Sequence, residues 1–309
     1  MLNVLFSAKP AAWAEYETPL NTAFANAGLS VKLSQDHAPS DVDYIVFAPN
    51  GPVTDFSGYV KTKAVLSLWA GVETVVGNAT LTQPLCRLVD TSLTAGMVEW
   101  VTGHTLRHHL GMDTHIQNQD GVWREEFPPL ATNRPVTILG IGALGAACGQ
   151  ALHQLGFPVT GWSRSAKDLP NIRCLHGQRG LHTALTDAQI VILLLPQTPD
   201  TKGILNADTL GLLAHGAFII NPGRGPLIDD DAMLAALNGG QVAHATLDVF
   251  RSEPLPANHP YWAHPNVTVT PHIASTTRPD TAAAIICDNI IRSEAGQPLL
   301  HVVDRSRKY

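Results

Sequence analysis

A chain of 309 residues, 45% hydrophobic and 15% charged, can bury two cores and has the composition of a globular protein. Its net charge of −6, with no basic block, argues against nucleic acid or anionic membrane as main partner. Four cysteines, Cys86, Cys148, Cys174 and Cys287, stand far apart without a CxxC pair, which predicts free thiols in a reducing compartment.

The opening MLNVLFSAKP has no basic segment ahead of an apolar one, and the longest notable apolar run, 190–195, is far too short to cross a bilayer. A cytoplasmic protein is expected. Leu2–Phe6 reads as a strand, Ala11–Ala27 as a helix closed by Gly28, and Tyr44–Phe47 as a buried strand ended by Pro49. A further strand, Ala64–Trp69, runs straight into Ala70-Gly71-Val72-Glu73. Such a glycine loop at a strand's carboxyl end can turn main-chain N–H groups toward an anion.

Ser92 or Thr94 is expected to cap a helix running to about Leu110, with Leu93, Met97, Val98, Trp100, Val101 and Leu106 along it. His104 and His108 are spaced i, i+4 on this helix, with His109 and His115 nearby. Without an HExxH pattern they read as polar-face or interface histidines, and no metal is expected. Residues 111–133 are polar and mixed, with Trp123 and Phe127 among charges and Pro128-Pro129 after them. This is expected to be an arm or hinge whose aromatics suit contact with a second copy.

The stretch 136–165 carries the strongest signal. Val136–Leu139 is a short apolar strand entering Gly140-x-Gly142-x-x-Gly145. Leu144, Ala147, Ala151, Leu152 and Leu155 then recur at helical spacing until Gly156, and Pro158–Trp162 reads as a second strand. In that setting Gly140 permits the tight turn, Gly142 lets the backbone approach a pyrophosphate, and Gly145 packs helix on sheet. The first helical turn, Ala143 and Leu144, adds N–H groups for the phosphates. A carboxylate after the second strand would bond a ribose 2′-OH, but here Trp162-Ser163-Arg164-Ser165 follows, with no carboxylate between Gly156 and Lys167. A 2′-phosphate would meet a guanidinium and hydroxyls, so NADPH is expected, with NADH as the alternative coenzyme.

Strands at Ile190–Leu195 and Ala217–Ile220 end at Pro196 and at Asn221-Pro222-Gly223-Arg224-Gly225. Asp229-Asp230-Asp231 precedes a helix over Ala232–Leu237, where carboxylates suit the positive helix end better than a metal. A strand Ala243–Leu247 leads to Asp248 and Glu253, and Val267–Thr270 leads to Pro271-His272-Ile273-Ala274. Pro279–Ala295 reads as a last helix. Arg224, Glu253 and His272 thus fall just past the ends of three strands, where a parallel sheet presents its chemistry. A guanidinium can clamp a carboxylate and polarise a carbonyl, an imidazolium can supply a proton, and a neighbouring carboxylate favours that charged form. Pro196, Pro222, Asp248 and Ala274, at the same strand ends, complete the expected cofactor site.

The motifs LGIGALG, NPGRG, LDVFRSEPLP and PHIA, in that order, resemble the D-2-hydroxyacid dehydrogenase family, and within it the bacterial A-type glyoxylate/hydroxypyruvate reductases. The segment WSRS resembles the family's NADP-preferring branch, and the ending VDRSRKY resembles the A-type reductases. The resemblance implies an α/β protein of two domains: a Rossmann-type doubly wound parallel sheet over 101–279, and a smaller flavodoxin-like substrate domain from 1–100 and 280–309. It implies that Arg224 binds substrate, that Glu253 pairs with the catalytic His272, and that SLWAGVE holds the substrate carboxylate through Ala70, Gly71 and Val72. A cytoplasmic homodimer follows, with residues 92–130 at the interface and Trp123 reaching the active site of a second copy. Trp69 stands where related chains often carry a small residue; it either narrows the pocket or packs in the core. The expected reaction is NADPH-dependent reduction of glyoxylate and hydroxypyruvate. Bulkier 2-oxo acids, or a dinucleotide-sensing regulator without turnover, are the alternatives.

Overall fold

The computed structural model describes residues 1–305; the last four residues of the VDRSRKY tail lie outside the described residues. The described chain divides into two compact units, Met1–Leu93 with the segment from Thr276 onward, and Thr94–Ser275.

In the first unit, β1 (Leu2–Ser7), α1 (Ala12–Asn26), β2 (Val31–Ser34), β3 (Tyr44–Phe47), β4 (Ala64–Ser67) and β5 (Leu85–Cys86) build a parallel sheet in the order β2-β1-β3-β4-β5. This is the flavodoxin-like order. The β3 and β4 strands are buried at every position, as unbroken apolar runs covered on both faces must be. Helix α1 buries Ala12, Tyr16, Leu20 and Phe24, one residue per turn, and ends at Gly28, whose φ of +67° favours glycine. Leu20 and Phe24 are almost wholly buried, and each such side chain contributes about 2 kcal/mol of transfer free energy. The helix Pro279–Glu294 packs into the same core through Ala282, Ala283, Ile286, Cys287 and Ile290.

The second unit begins within α2 (Thr91–His109) and continues through α3 (Met112–Gln117) and an extended segment to β6 (Val136–Leu139). Then follow α4 (Ala143–Gln154), β7 (Val159–Ser163), β8 (Arg173–His176), α5 (Gly177–Leu185), β9 (Ile190–Leu193), α6 (Ala207–Leu210), β10 (Ala217–Asn221), α7 (Asp230–Asn238), β11 (Val242–Leu247) and β12 (Val267–Val269). All seven strands are parallel, in the order β8-β7-β6-β9-β10-β11-β12. The order reverses between β6 and β9, so the crevice beyond their carboxyl ends is the place for a ligand.

Three local expectations need correction. Helix α2 is capped by Asp90, whose Oδ1 accepts the Leu93 N–H at 2.5 Å, rather than by Ser92 or Thr94; a carboxylate adds favourable charge at a helix start. Helix α7 begins two residues earlier than Ala232, because Asp229 caps it by accepting the Ala232 N–H at 3.0 Å. Strand β7 runs on to Ser163.

Candidate active site

The glycine turn after β6 has the shape a dinucleotide requires. Gly140 sits at φ +105°, and a Cβ there would lie 2.5 Å from the Leu194 carbonyl. A Cβ on Gly145 would fall 1.9 Å from the Gly140 carbonyl oxygen, so the start of α4 reaches the turn only without a side chain. A Cβ on Gly142 would meet nothing within 4 Å, which leaves the outer side of the turn open for a pyrophosphate. No side chain caps α4 at Gly142, so its first N–H groups face that opening. The residues present therefore fit the group.

At the end of the neighbouring strand β7, Ser163 is buried and its hydroxyl donates to the Ser165 carbonyl at 2.8 Å. That bond braces the turn which leaves Arg164 and Ser165 at the surface. Trp162, just before it, is buried and donates from Nε1 to the Gly177 carbonyl. Ser163 thus shapes the loop, while Arg164 supplies its charge.

The loops after β10, β11 and β12 are tied to one another. Asn221 is fully buried; its Nδ2 donates to the Arg224 carbonyl at 3.0 Å and its Oδ1 accepts the Gly223 N–H at 3.1 Å. Gly225 lies so close to the next loop that a Cβ there would be 2.0 Å from the Phe250 carbonyl carbon. Glu253 Oε1 accepts the Phe250 N–H at 2.8 Å, and Glu253 Oε2 lies 2.7 Å from His272 Nδ1. The predicted pairing of these two residues is therefore present. The side chain of His272 is 53% exposed, so Nε2 faces away from the carboxylate, toward solvent and any incoming ligand.

His272 has a left-handed φ of +53°, unusual for a residue with a Cβ. Asp248, wholly buried, holds that turn. Its Oδ1 accepts from Thr270 Oγ1 at 2.6 Å and from the Ile273 N–H at 2.9 Å, its Oδ2 accepts the Ala274 N–H at 2.9 Å, and its carbonyl accepts the His272 N–H at 2.9 Å. Sequence reasoning placed Asp248 among the cofactor residues; both its carboxylate oxygens serve the histidine turn. The LDV pattern signals a strand end, but nothing in it announces this clamp.

In the first unit, Ser67 Oγ accepts the Trp69 N–H at 3.0 Å, and the Leu88 N–H donates to the Trp69 carbonyl at 3.0 Å. The backbone of Trp69 is fixed while its side chain is 42% exposed, so it does not pack in the core. Among the described residues the N–H groups of Ala70, Gly71 and Val72 find no acceptor. That leaves them available to an anion.

The helical histidines belong to the packing of the second unit. His108 is buried, stacks on Phe218 and shares a 2.9 Å hydrogen bond with Thr246 Oγ1; half-buried His244 shares a hydrogen bond with Thr268 Oγ1 at 2.8 Å. Burial pushes His108 down to about 3 and His244 down to about 4, so both are neutral there. Among the described residues no group of three or more His, Cys, Asp or Glu is placed to hold a metal ion.

The family model for the NAD binding domain of D-isomer specific 2-hydroxyacid dehydrogenases matches residues 102–274. The chain belongs to this family. As a member it is an NAD(P)-dependent oxidoreductase. Glyoxylate/hydroxypyruvate reductase A of Yersinia enterocolitica is 39% identical over 282 residues, 89% of each chain. A D-isomer specific 2-hydroxyacid dehydrogenase from Xanthobacter autotrophicus, solved in complex with NADPH and MES, superposes with a TM-score of 0.93 at 39% identity, covering 100% of this chain and 99% of that one. An NADPH-dependent glyoxylate/hydroxypyruvate reductase from Sinorhizobium meliloti, solved with NADP and sulfate, gives a TM-score of 0.87 at 32% identity, with both chains fully covered. The family's dinucleotide domain accordingly contains Arg224, Glu253 and His272 of this chain.

Proposed function

We propose that this dehydrogenase reduces glyoxylate to glycolate and hydroxypyruvate to D-glycerate with NADPH. The observation that carries the reading is the His272–Glu253 pair, 2.7 Å apart, in the sheet that also bears the open glycine turn. Gly140, Gly142 and Gly145, with Ala143 and Leu144, hold the pyrophosphate. Pro196, Pro222 and Ala274 line the strand ends along which the rest of the coenzyme lies. Arg164, between Ser163 and Ser165, neutralises the 2′-phosphate, and the absence of a carboxylate from Phe157 to Ala166 removes the repulsion an NAD-type site would impose. When bound, the coenzyme supplies a hydride to the substrate's carbonyl carbon.

His272 gives its Nε2 proton to the carbonyl oxygen as negative charge develops there. Glu253 fixes the imidazole through Nδ1, which selects the orientation with Nε2 free. Arg224 binds the substrate carboxylate and polarises the carbonyl. Within the first unit, the unpartnered N–H groups of Ala70, Gly71 and Val72 are available to a carboxylate, and the indole of Trp69 beside them is exposed.

The protein works as a cytoplasmic homodimer in this reading. Ile116, Val122, Trp123, Phe127 and Leu130 expose most of their apolar surface on one stretch, which favours cover by a second copy. The four cysteines are free, and no helix among the described residues is long and apolar enough to cross a membrane.

Loss of the reduced-nicotinamide absorbance band tests the reading, with NADPH or NADH offered against glyoxylate, hydroxypyruvate, pyruvate and phenylpyruvate. Fast NADPH oxidation with the two small acids is expected. Turnover confined to phenylpyruvate would overturn the substrate, and NADPH binding without any turnover would favour the regulator.

A further inference from the structure

The acidic run 229–231 opens α7, and its first residue is spent on the cap. Its second residue has a different task. Asp230 Oδ2 lies 3.1 Å from Arg251 Nε, and Asp230 Oδ1 accepts from the hydroxyl of buried Tyr261 at 3.0 Å. Arg251 Nη2 also donates to the Ile228 carbonyl at 2.6 Å. Arg251 stands between Phe250, whose N–H is bound by Glu253, and Glu253 itself.

We propose that Arg251, anchored by Asp230 and Tyr261, is a positioning residue for the Glu253–His272 pair. The inference rests on the acid–base reading given above. The loop carrying Glu253 is fixed at its start by the Asp248 N–H on the Asn221 carbonyl, and at its far end by Trp262 Nε1 on the Pro256 carbonyl. Between these points the backbone of Phe250 rests against Gly225, and Arg251 is the side chain that ties the crest of the loop to α7. A carboxylate that must stay at 2.7 Å from an imidazole cannot ride on a free loop, because an ångström of misplacement costs catalysis heavily. The brace uses a forked guanidinium with two acceptors at once, the Ile228 carbonyl and the Asp230 carboxylate, a geometry lysine cannot reproduce with both bonds.

The test compares Arg251→Gln, Arg251→Lys, Asp230→Asn, Glu253→Gln and the double variant Arg251→Gln/Glu253→Gln in steady-state reduction of glyoxylate, with NADPH binding followed by fluorescence. Assays are run well below each variant's unfolding midpoint. Arg251→Gln is expected to lower kcat about ten-fold with KM for glyoxylate and NADPH affinity within two-fold. Asp230→Asn, which keeps the arginine charge but weakens its anchor, is expected to lower kcat about three-fold, and Arg251→Lys to restore part of the loss. In the Glu253→Gln background, Arg251→Gln is expected to add nothing, since its effect runs through the carboxylate. Unchanged kcat in both Arg251→Gln and Asp230→Asn, or losses that multiply in the double variant, would overturn the assignment. Full turnover in Glu253→Gln alone would instead overturn the acid–base pair, and with it this inference.

Discussion

Replacing Gly225 by alanine adds one methyl group at the point where the loops carrying Arg224 and Glu253 touch. The added Cβ would lie 2.0 Å from the Phe250 carbonyl carbon and 2.4 Å from the Arg251 nitrogen. Both are backbone atoms, so no rotamer change relieves the clash. Ordinary contact begins near 3.4 Å, so the loops must part by about 1.4 Å. One of these loops carries Arg224 and the other Glu253. A displacement of about 1 Å in groups that must act together costs on the order of 100-fold in rate. Gly225→Ala is therefore expected to lower kcat/KM for glyoxylate about 100-fold. Overpacking of this kind also costs about 1–3 kcal/mol of stability. The glycine turn of 140–145 lies on other strands, so NADPH affinity should stay within about two-fold. Steady-state kinetics and NADPH fluorescence titration on the same preparation separate the two effects. A folded Gly225→Ala protein with kcat/KM within three-fold of the parent would refute the argument that this contact sets the active-site geometry.

Arg164→Asp is expected to raise KM for NADPH far more than for NADH, because a carboxylate would then face the 2′-phosphate; equal effects on both coenzymes would contradict the assignment. His108 and His244 are neutral in the fold because burial lowers them from 6.5 to about 3 and about 4. Between those values the unfolded chain binds more protons, so stability is fully present above about pH 6.5 and is lost as pH falls toward 4. The thermal midpoint should drop over that range, and His108→Gln, which retains a partner for Thr246, should flatten the slope; an unchanged slope would show that other groups control acid stability.

Most of the candidate site was legible because it sits on strand ends. The apolar runs before Gly140, Asn221, Asp248 and Pro271 mark parallel strands, and the polar residues after them fall together once the sheet order is known. What stayed hidden depends on contacts distant in sequence. Strand β8, Arg173–His176, lies at the sheet edge with no fully buried position, and α5, though Leu181, Ala184 and Leu185 share one face, is short and carries two glycines that lower its helix propensity. The two-residue β5 is too short to show one. The helix Pro279–Glu294 has a plain apolar stripe, yet periodicity cannot say which sheet receives it; only the resemblance pointed to the first unit. The roles of Asp248 and Arg251 were equally invisible, because each is defined by donors or acceptors on other loops. Trp69 was open between pocket and core, and its exposure decides against the core.

The central claim is that His272, held by Glu253 and by the clamped turn around it, delivers the proton. The most direct measurement is the turnover of His272→Ala with saturating NADPH and glyoxylate, with the NADPH dissociation constant measured on the same sample. Removal of a positioned acid is expected to cut kcat by about 100- to 10,000-fold while NADPH binding stays within about two-fold. Turnover within ten-fold of the parent, with NADPH binding intact, would remove His272 from the mechanism.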